Sequence, residues 1–381
     1  MAAEAVAITG LGLFTAAGLN AKEVWQSIST GSTGIKPVTR FDTTGFVTQM
    51  AGEIEPPPPP IAKDDDAFVT YAVLAAQEAW QSAGLEEIDP SQCRMAVAVG
   101  SSSGGHNTED LCDADAANDP CRMGRMRTAA MHNRAAIRVG QELKIPGPRI
   151  TLSAACASGN MALAWAHHQV STGAYDVVLV GGSDALSLRR FSGFSALGVL
   201  APGICAPFSY PIGMNLGEGA AFLVVESAAH AARRHAQPRA WIQGCGSSSD
   251  GHHATAPDPT GGGIARALSA ALHSAGQTPD ALDCYSAHAT GTAENDAAEW
   301  RAVQHLLGHD DLPTFALKST FGHTFGAAGT IEAAVTVLSM EKAQIPATFG
   351  FHEPRAVCPT NPGREGKPRP LNASVALTNN S

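Results

Sequence analysis

The sequence predicts an α/β protein with buried strands. Short runs rich in β-branched residues alternate with Ala-rich stretches of helical length, the pattern that lays helices against a sheet. Hydrophobic residues make up 44% and charged residues 16%, so the chain has apolar surface for a large core. Its 381 residues suit two domains or one large composite fold.

Taken in chain order, the apolar runs Ala5–Thr9, Met95–Val99, Val177–Val180, Ala220–Val225 and Trp241–Gln243 are expected strands. The stretches Asp66–Ser82, Thr128–Glu142, Ala157–Ser171, Gly263–Ala275 and Ala293–Leu307 are expected helices. Pro56–Pro60 interrupts regular structure and reads as an exposed connector. VAITGLG (6–12) and AWIQGCG (240–246) both read as a strand closing on a Gly-x-Gly turn. That echo divides the chain into an N-terminal half, 1–238, and a C-terminal half, 239–381.

Composition narrows the function. Lys and Arg total 25 against 35 Asp and Glu, a net charge of −10, whereas a general nucleic-acid binder needs a basic footprint. No apolar run reaches the ~18 residues of a membrane span, and the first residues lack the basic start of a signal peptide. A cytoplasmic protein with no membrane partner is expected. The eight cysteines form no CxxC pair, so zinc ribbons and thioredoxin-like sites have no support. In a reducing compartment most are expected to be buried thiols.

Three motifs point to chemistry that their surroundings do not back. Gly10-Leu-Gly12 begins like a dinucleotide fingerprint, but Thr15 stands where the third glycine belongs, so a structural turn and no cofactor are expected. Gly100-Ser101-Ser102-Ser103-Gly104 matches the GxSxG elbow of hydrolases, yet the segment after it is polar and aperiodic, which favours a flexible loop. The pairs His167–His168 and His252–His253 have no acid or cysteine at ligand spacing, so no metal is expected there.

A fourth constellation is stronger. TLSAACASGNMALAWAHHQVS (151–171) reads as a short strand, a small-residue turn and a helix starting just after Cys156. A thiol at that end of a helix faces unpaired N–H groups and the positive end of the macrodipole, both of which favour the thiolate and should lower its pKa. YSAHATGTAENDAAEW (285–300) places His288 at the end of a strand, and ALKSTFGHTFGAAGTIEAA (316–334) carries Lys318, His323 and Glu332. A sulfur nucleophile with two imidazoles suits acyl transfer joined to carbanion chemistry, because the rings can polarise a carbonyl as negative charge develops.

These segments, in this order, resemble the β-ketoacyl-[acyl-carrier-protein] synthases of the thiolase superfamily, in particular their elongating Cys-His-His class. SAACASGN is similar to the nucleophile motif, NLGEGAAFLVVES to the GEGAG segment, HATGTAENDAAE to the first histidine motif and KSTFGHTFGAAGTIEA to the second. The resemblance implies a thiolase-like five-layered αβαβα fold of two pseudo-duplicated halves. It implies Cys156 as acyl-accepting nucleophile, and His288 and His323 as the groups that bind the malonyl thioester and promote decarboxylation. Lys318 would orient the second histidine loop, supported by Glu332. Thr290, Thr292 and the backbone N–H of Leu377 would supply substrate or oxyanion contacts.

The reaction so implied is a decarboxylative condensation in fatty-acid, polyene or type II polyketide synthesis. The partners implied are acyl- and malonyl-loaded acyl carrier protein, with a homodimer or a heterodimer carrying a chain-length-factor-like chain. A non-condensing partner subunit, and a Cys-dependent acyltransferase or thioester hydrolase, are the alternatives; both histidines are present, which favours condensation. The sequence departs from the family pattern at Ala289, where glycine is usual, at APFSYPIGM (206–214), which lacks the usual charges, and at ASVALTNNS, where Leu377 stands for the gating Phe and the paired glycines and last strand are missing. CRMGRMRTAAMHNRAAIR (121–138) holds arginines and no acid, so Arg122, Arg125 and Arg127, with Arg134 and Arg138 nearby, are candidates to dock an acidic carrier protein.

Overall fold

The run VAITGLGLFT forms one continuous strand, β1 (Val6–Thr15), with every residue buried. The Gly-x-Gly that reads as a turn lies inside it. A Cβ on Gly10 would sit 2.3 Å from the Ala79 carbonyl oxygen and one on Gly12 2.1 Å from that of Ala75, so the missing side chains let helix α2 (Ala67–Ser82) rest directly on the strand. The computed structural model describes residues 4–63, 65–108, 110, 124, 127–308, 312–358 and 368–381.

The remaining N-terminal elements are α1 (Ala21–Thr30), β2 (Lys36–Pro37), β3 (Met50–Ala51), β4 (Met95–Gly100), α3 (Arg134–Glu142), β5 (Arg149–Leu152), α4 (Ser158–Ser171), β6 (Val177–Asp184), α5 (Leu188–Ala196), β7 (Gly219–Ser227) and α6 (Ala228–Arg233). They are followed by β8 (Ala240–Ile242), α7 (Gly262–Ala275), β9 (Cys284–Ala287), α8 (Ala293–Leu307), β10 (Thr314–Ala316), α9 (Lys318–Phe321), α10 (Ala328–Glu341), β11 (Gln344–Ile345), β12 (Arg369–Pro370) and β13 (Ala376–Thr378). Pro56–Pro60 is largely exposed, as a connector should be.

A six-stranded sheet runs β5-β4-β6-β7-β1-β8, and a three-stranded sheet runs β10-β9-β13. In the first, β4 lies parallel between β5 and β6; in the second, β9 lies parallel between β10 and β13. The core divides accordingly. One apolar cluster joins the inner faces of both sheets to α4 and α10, through Val178, Val180, Phe315, Ala162, Leu163, Ile331 and Val335. A second joins the outer face of the first sheet to α2 and α3, and a third joins the outer face of the second sheet to α7 and α8. The result is five layers, αβαβα.

The two echoing segments are neighbours. Val6 pairs with Ile242, Ala7 with Trp241 and Ile8 with Ala240 in antiparallel register. Gly244 and Gly246 also repeat the part played by Gly10 and Gly12, since Cβ atoms there would lie 2.5 Å from the Ala275 nitrogen and 2.2 Å from the Ala267 oxygen of α7.

Two further expectations need correction. The helix expected over Thr128–Glu142 is broken, and α3 starts only at Arg134, because the Ala130 carbonyl accepts from the Gly105 N–H and the two backbones touch there. The GSSSG segment is not a flexible loop. Ser101 and Ser103 are buried, and the Asp184 carboxylate at the end of β6 accepts from the Ser101 hydroxyl (2.6 Å) and from the backbone N–H groups of Ser102 and Ser103 (both 2.9 Å).

Candidate active site

The site forms where the parallel strands end, as expected for ligand sites in open α/β sheets. Cys156 follows β5 in a tight turn, with Ala155 in the left-handed region at φ 47°. The half-buried Cys156 immediately precedes Ala157, the residue that caps α4. Gly159 in the first turn of α4 would meet the Gly326 oxygen at 2.9 Å and the Thr330 nitrogen at 3.0 Å if it carried a Cβ. A side chain there would push the α10 segment, and with it His323, away from the sulfur.

His323 is held by its backbone. Its N–H donates to the Asn215 carbonyl (2.7 Å), and its own carbonyl accepts from the Gly217 N–H (2.9 Å). Gly52 and Gly217 clasp the Phe321 carbonyl so closely that a Cβ on either would fall 2.0 or 2.1 Å from its oxygen. The NLGEG segment therefore serves as the clamp for the second histidine loop. Glu218 anchors that clamp, accepting two 2.6 Å bonds from Arg40 as well as the N–H groups of Ile54 and Leu186. Asp184 adds a further tie, accepting from the Gly326 N–H at 2.7 Å.

His288 is held by Glu299 of α8. That buried carboxylate accepts from the N–H groups of His288 and Ala289 (both 2.7 Å) and from the Tyr285 hydroxyl (2.6 Å). Ala289 takes φ 37°, so the turn that glycine would make at no steric cost is kept, with alanine carrying the strain. Asp296, one helical turn before Glu299, accepts from the N–H of Gly291 (3.1 Å) and pairs with buried Arg355.

The three side chains meet. Cys156 Sγ lies 3.0 Å from His323 Nε2, and one nitrogen of each ring together with the sulfur fall within 4.8 Å of one another. The two rings stand edge to face, with centroids 5.4 Å apart. His323 Nδ1 accepts the Phe325 N–H at 3.1 Å, so in the neutral ring the proton sits on Nε2 and points at sulfur.

Lys318 and Glu332 form a buried pair at 2.7 Å. Burial lowers both imidazoles well below 6.5, and the Lys318 ammonium pushes each further the same way. Burial raises the Glu332 carboxyl to about 7 against the downward pull of Lys318.

The thiol corrects an expectation. Burial pushes Cys156 up to about 11, although Lys318, its backbone N–H and Arg190 act downward. The helix end gives less help than its position promises, because the N–H groups of Ala157 and Ser158 already donate to the carbonyls of Ala154 and Ala155. Three donor atoms at this spacing also resemble part of a metal site, but Lys318 adds a positive charge that acts on all three and opposes a divalent cation.

Other expected residues fall elsewhere. Thr290 and Thr292 are buried in the turn after His288, and their hydroxyls bond each other at 2.9 Å. Leu377 is not brought to the sulfur. It lies within β13, in register with Tyr285 of β9, and packs on the third core cluster. The residue of this segment that enters the site is Asn380, whose Oδ1 lies 3.0 Å from His288 Nδ1.

Arg122 and Arg125 lie outside the described residues, and Arg127 is exposed. Arg134 and Arg138 are turned inward to the buried Asp65, at 3.1 and 2.8 Å, which removes them from a docking face. Sequence reading missed Asp184, Asn215, Glu299 and Asn380. Only Asp296 and Glu299 left a signal, two acids three residues apart on one face of a helix that is otherwise buried there.

Two family models cover most of the chain: "Beta-ketoacyl synthase, N-terminal domain" over residues 3–231 and "Beta-ketoacyl synthase, C-terminal domain" over residues 239–352. Among curated relatives, the 3-oxoacyl-[acyl-carrier-protein] synthase 2 of Coxiella burnetii (strain RSA 493 / Nine Mile phase I) is 33% identical, across 93% of this chain and 90% of the relative. Among solved structures, the ishigamide ketosynthase/chain length factor aligns with TM-score 0.91 and 31% identity, covering 99% of this chain and 96% of the other. A type II PKS acyl-carrier protein in complex with its ketosynthase bound to the hexaketide aligns with TM-score 0.90 and 27% identity, covering 99% and 95%.

Proposed function

Because the chain belongs to the beta-ketoacyl synthase family, we propose that Cys156, His288 and His323 are the groups that perform its condensation. The protein is an acyltransferase of the 3-oxoacyl-[acyl-carrier-protein] synthase type, acting in fatty-acid or type II polyketide synthesis. In the first stage an acyl group leaves its carrier thioester and bonds to Cys156 Sγ. In the second, the malonyl unit loses its carboxylate as CO2, the freed electron pair forms an enolate, and the enolate carbon attacks the Cys156 thioester. The carbon–sulfur bond breaks, and the 3-oxoacyl product leaves two carbons longer.

The observation that carries this reading is the 3.0 Å approach of His323 Nε2 to Sγ, with a second imidazole within 4.8 Å. The His323 N–H is a donor to negative charge, first on sulfur and then on the enolate oxygen. Lys318, bonded to Glu332, adds a fixed positive charge beside both rings. Acyl- and malonyl-loaded carrier proteins are the substrates in this reading. What supports this partner is the solved complex of a related ketosynthase with its acyl-carrier protein. Among the described residues of the arginine-rich stretch Arg127 is exposed, and with Arg122 and Arg125 it is the docking candidate of this reading.

The reading includes two pseudo-duplicated halves meeting near residue 238. What supports it is the repeated order of parallel strands, β5-β4-β6 and β10-β9-β13. It also includes a dimer in the cytoplasm, a homodimer or a pair with a chain-length-factor-like chain. Among the described residues no strand pairs with the outer edge of β5, and none of the helices is long and apolar enough to cross a membrane.

Incubation with acyl- and malonyl-carrier protein, read by mass spectrometry, tests the reaction. An acyl adduct on Cys156 followed by a product two carbons longer is expected, and Cys156→Ala should abolish both. An adduct with no elongated product would instead indicate simple acyl transfer or hydrolysis. No adduct would indicate a non-condensing subunit.

A further inference from the structure

A buried asparagine, Asn380, lies between His288 and the Lys318–Glu332 pair, and its amide has one permitted orientation. Its Nδ2 lies 2.7 Å from the Asn379 carbonyl oxygen and 2.6 Å from Glu332 Oε2. A carbonyl oxygen can only accept, so the NH2 end must face it, whatever the protonation of Glu332. The other end of the amide, Oδ1, then faces His288 Nδ1 at 3.0 Å. An oxygen opposite a ring nitrogen at that distance requires the proton on Nδ1, which leaves Nε2 with its lone pair.

The two histidines are therefore locked in opposite tautomers. The Phe325 N–H fills Nδ1 of His323 and fixes its proton on Nε2, facing sulfur, so His323 is a donor and has no vacant position for the thiol proton. We infer that Asn380 is a positioning residue that holds His288 as the Nδ1–H tautomer, and that His288 Nε2 is thereby the proton acceptor for Cys156. As acyl transfer begins, the Sγ–H bond breaks and an Nε2–H bond forms. The sulfur electron pair bonds the acyl carbon, and the departing carrier thiolate takes the proton back from His288. Lys318 and Glu332 act one step behind, through the bond that Glu332 receives from the Asn380 amide.

This rests on the reading of Cys156 as the acyl-accepting group, and the experiment separates the two. In 15N-histidine NMR of the wild-type protein, His288 is expected as the Nδ1–H tautomer and His323 as Nε2–H. An Nε2–H tautomer at His288 overturns the inference without any variant being made. Single-turnover acylation from acyl-carrier protein is then followed against pH. Asn380→Ala should slow it about tenfold or more at pH 7. The deficit should shrink as pH rises and the thiol ionises unaided. A deficit of constant size at every pH marks a merely structural role and overturns the inference, as does His288→Ala acylating at the wild-type rate at pH 7. Failure of the underlying reading looks different, because wild-type Cys156 would then stay unacylated at every pH.

Discussion

Cys156 shows how far the surroundings of one side chain can outweigh its address. Its place before α4 favours a thiolate, yet burial holds the thiol at about 11, so the resting sulfur is protonated at neutral pH and the proton must be moved during the reaction. With 13C-labelled cysteine, and Cys156→Ala to identify the resonance, the Cys156 signal should still be that of a thiol at pH 9. A transition complete below pH 8 would contradict the burial argument. The three side chains that meet, Cys156, His288 and His323, were legible in the sequence because each sits in a small-residue turn between a strand and a helix. Asp184 and Asn380 were not, and Glu299 left only its spacing from Asp296, since a buried polar residue and a surface one are the same letter until the chain folds. Leu377 was misplaced for a related reason, as only strand pairing shows that it faces the core while Asn380 reaches the ring.

Among the elements, helices with a cap or a period and strands with a long apolar run were legible, and the shortest strands were not. Helix α2 begins one residue inside its expected range because the Asp66 side chain accepts the Phe68 N–H and serves as its cap. The strands β10 and β13 are only 3 residues long each, and their partners come from far along the chain, so no period marks them. A testable junction is the one between β7 and α6. Glu226 accepts from His230 Nδ1 (2.6 Å), from Arg234 Nε (2.9 Å) and from the Thr9 hydroxyl, tying β1, β7 and α6 together. Burial acts to raise its carboxyl, but these donors outweigh it and hold the pKa at about 2. Because the folded value is below the unfolded one, the stabilisation is complete above pH ~4.5 and is lost as pH falls toward 2. It amounts to about 3 kcal/mol. Urea unfolding of Glu226→Gln should show a deficit of about that size or more at pH 7, and the gap to the wild type should narrow as pH falls from 5 toward 3. A gap independent of pH would refute the assignment.

Over the whole molecule, the echo at 6–12 and 240–246 was legible, but its cause was not. The glycines do not turn the chain; they admit α2 against β1 and α7 against the segment after β8, and a contact made by an absent side chain leaves no letter that names its partner. The same device joins α4 to α10 at the centre of the fold. Gly159→Ala should force these helices apart and cost about 1–3 kcal/mol of stability. It should also slow Cys156 acylation more than a surface substitution of equal thermal cost, as comparison of melting curves with single-turnover rates would show. Equal slowing in both would mean that the seam carries no catalytic geometry.

The sulfur and the two rings hang from three different strands, and the glycine seam between α4 and α10 sets the sulfur against His323, while Glu299 holds His288 from the other side. Since even a methyl group on Gly159 would lie 2.9 Å from the Gly326 oxygen, the two helices cannot part at this seam without carrying the sulfur away from the ring that faces it.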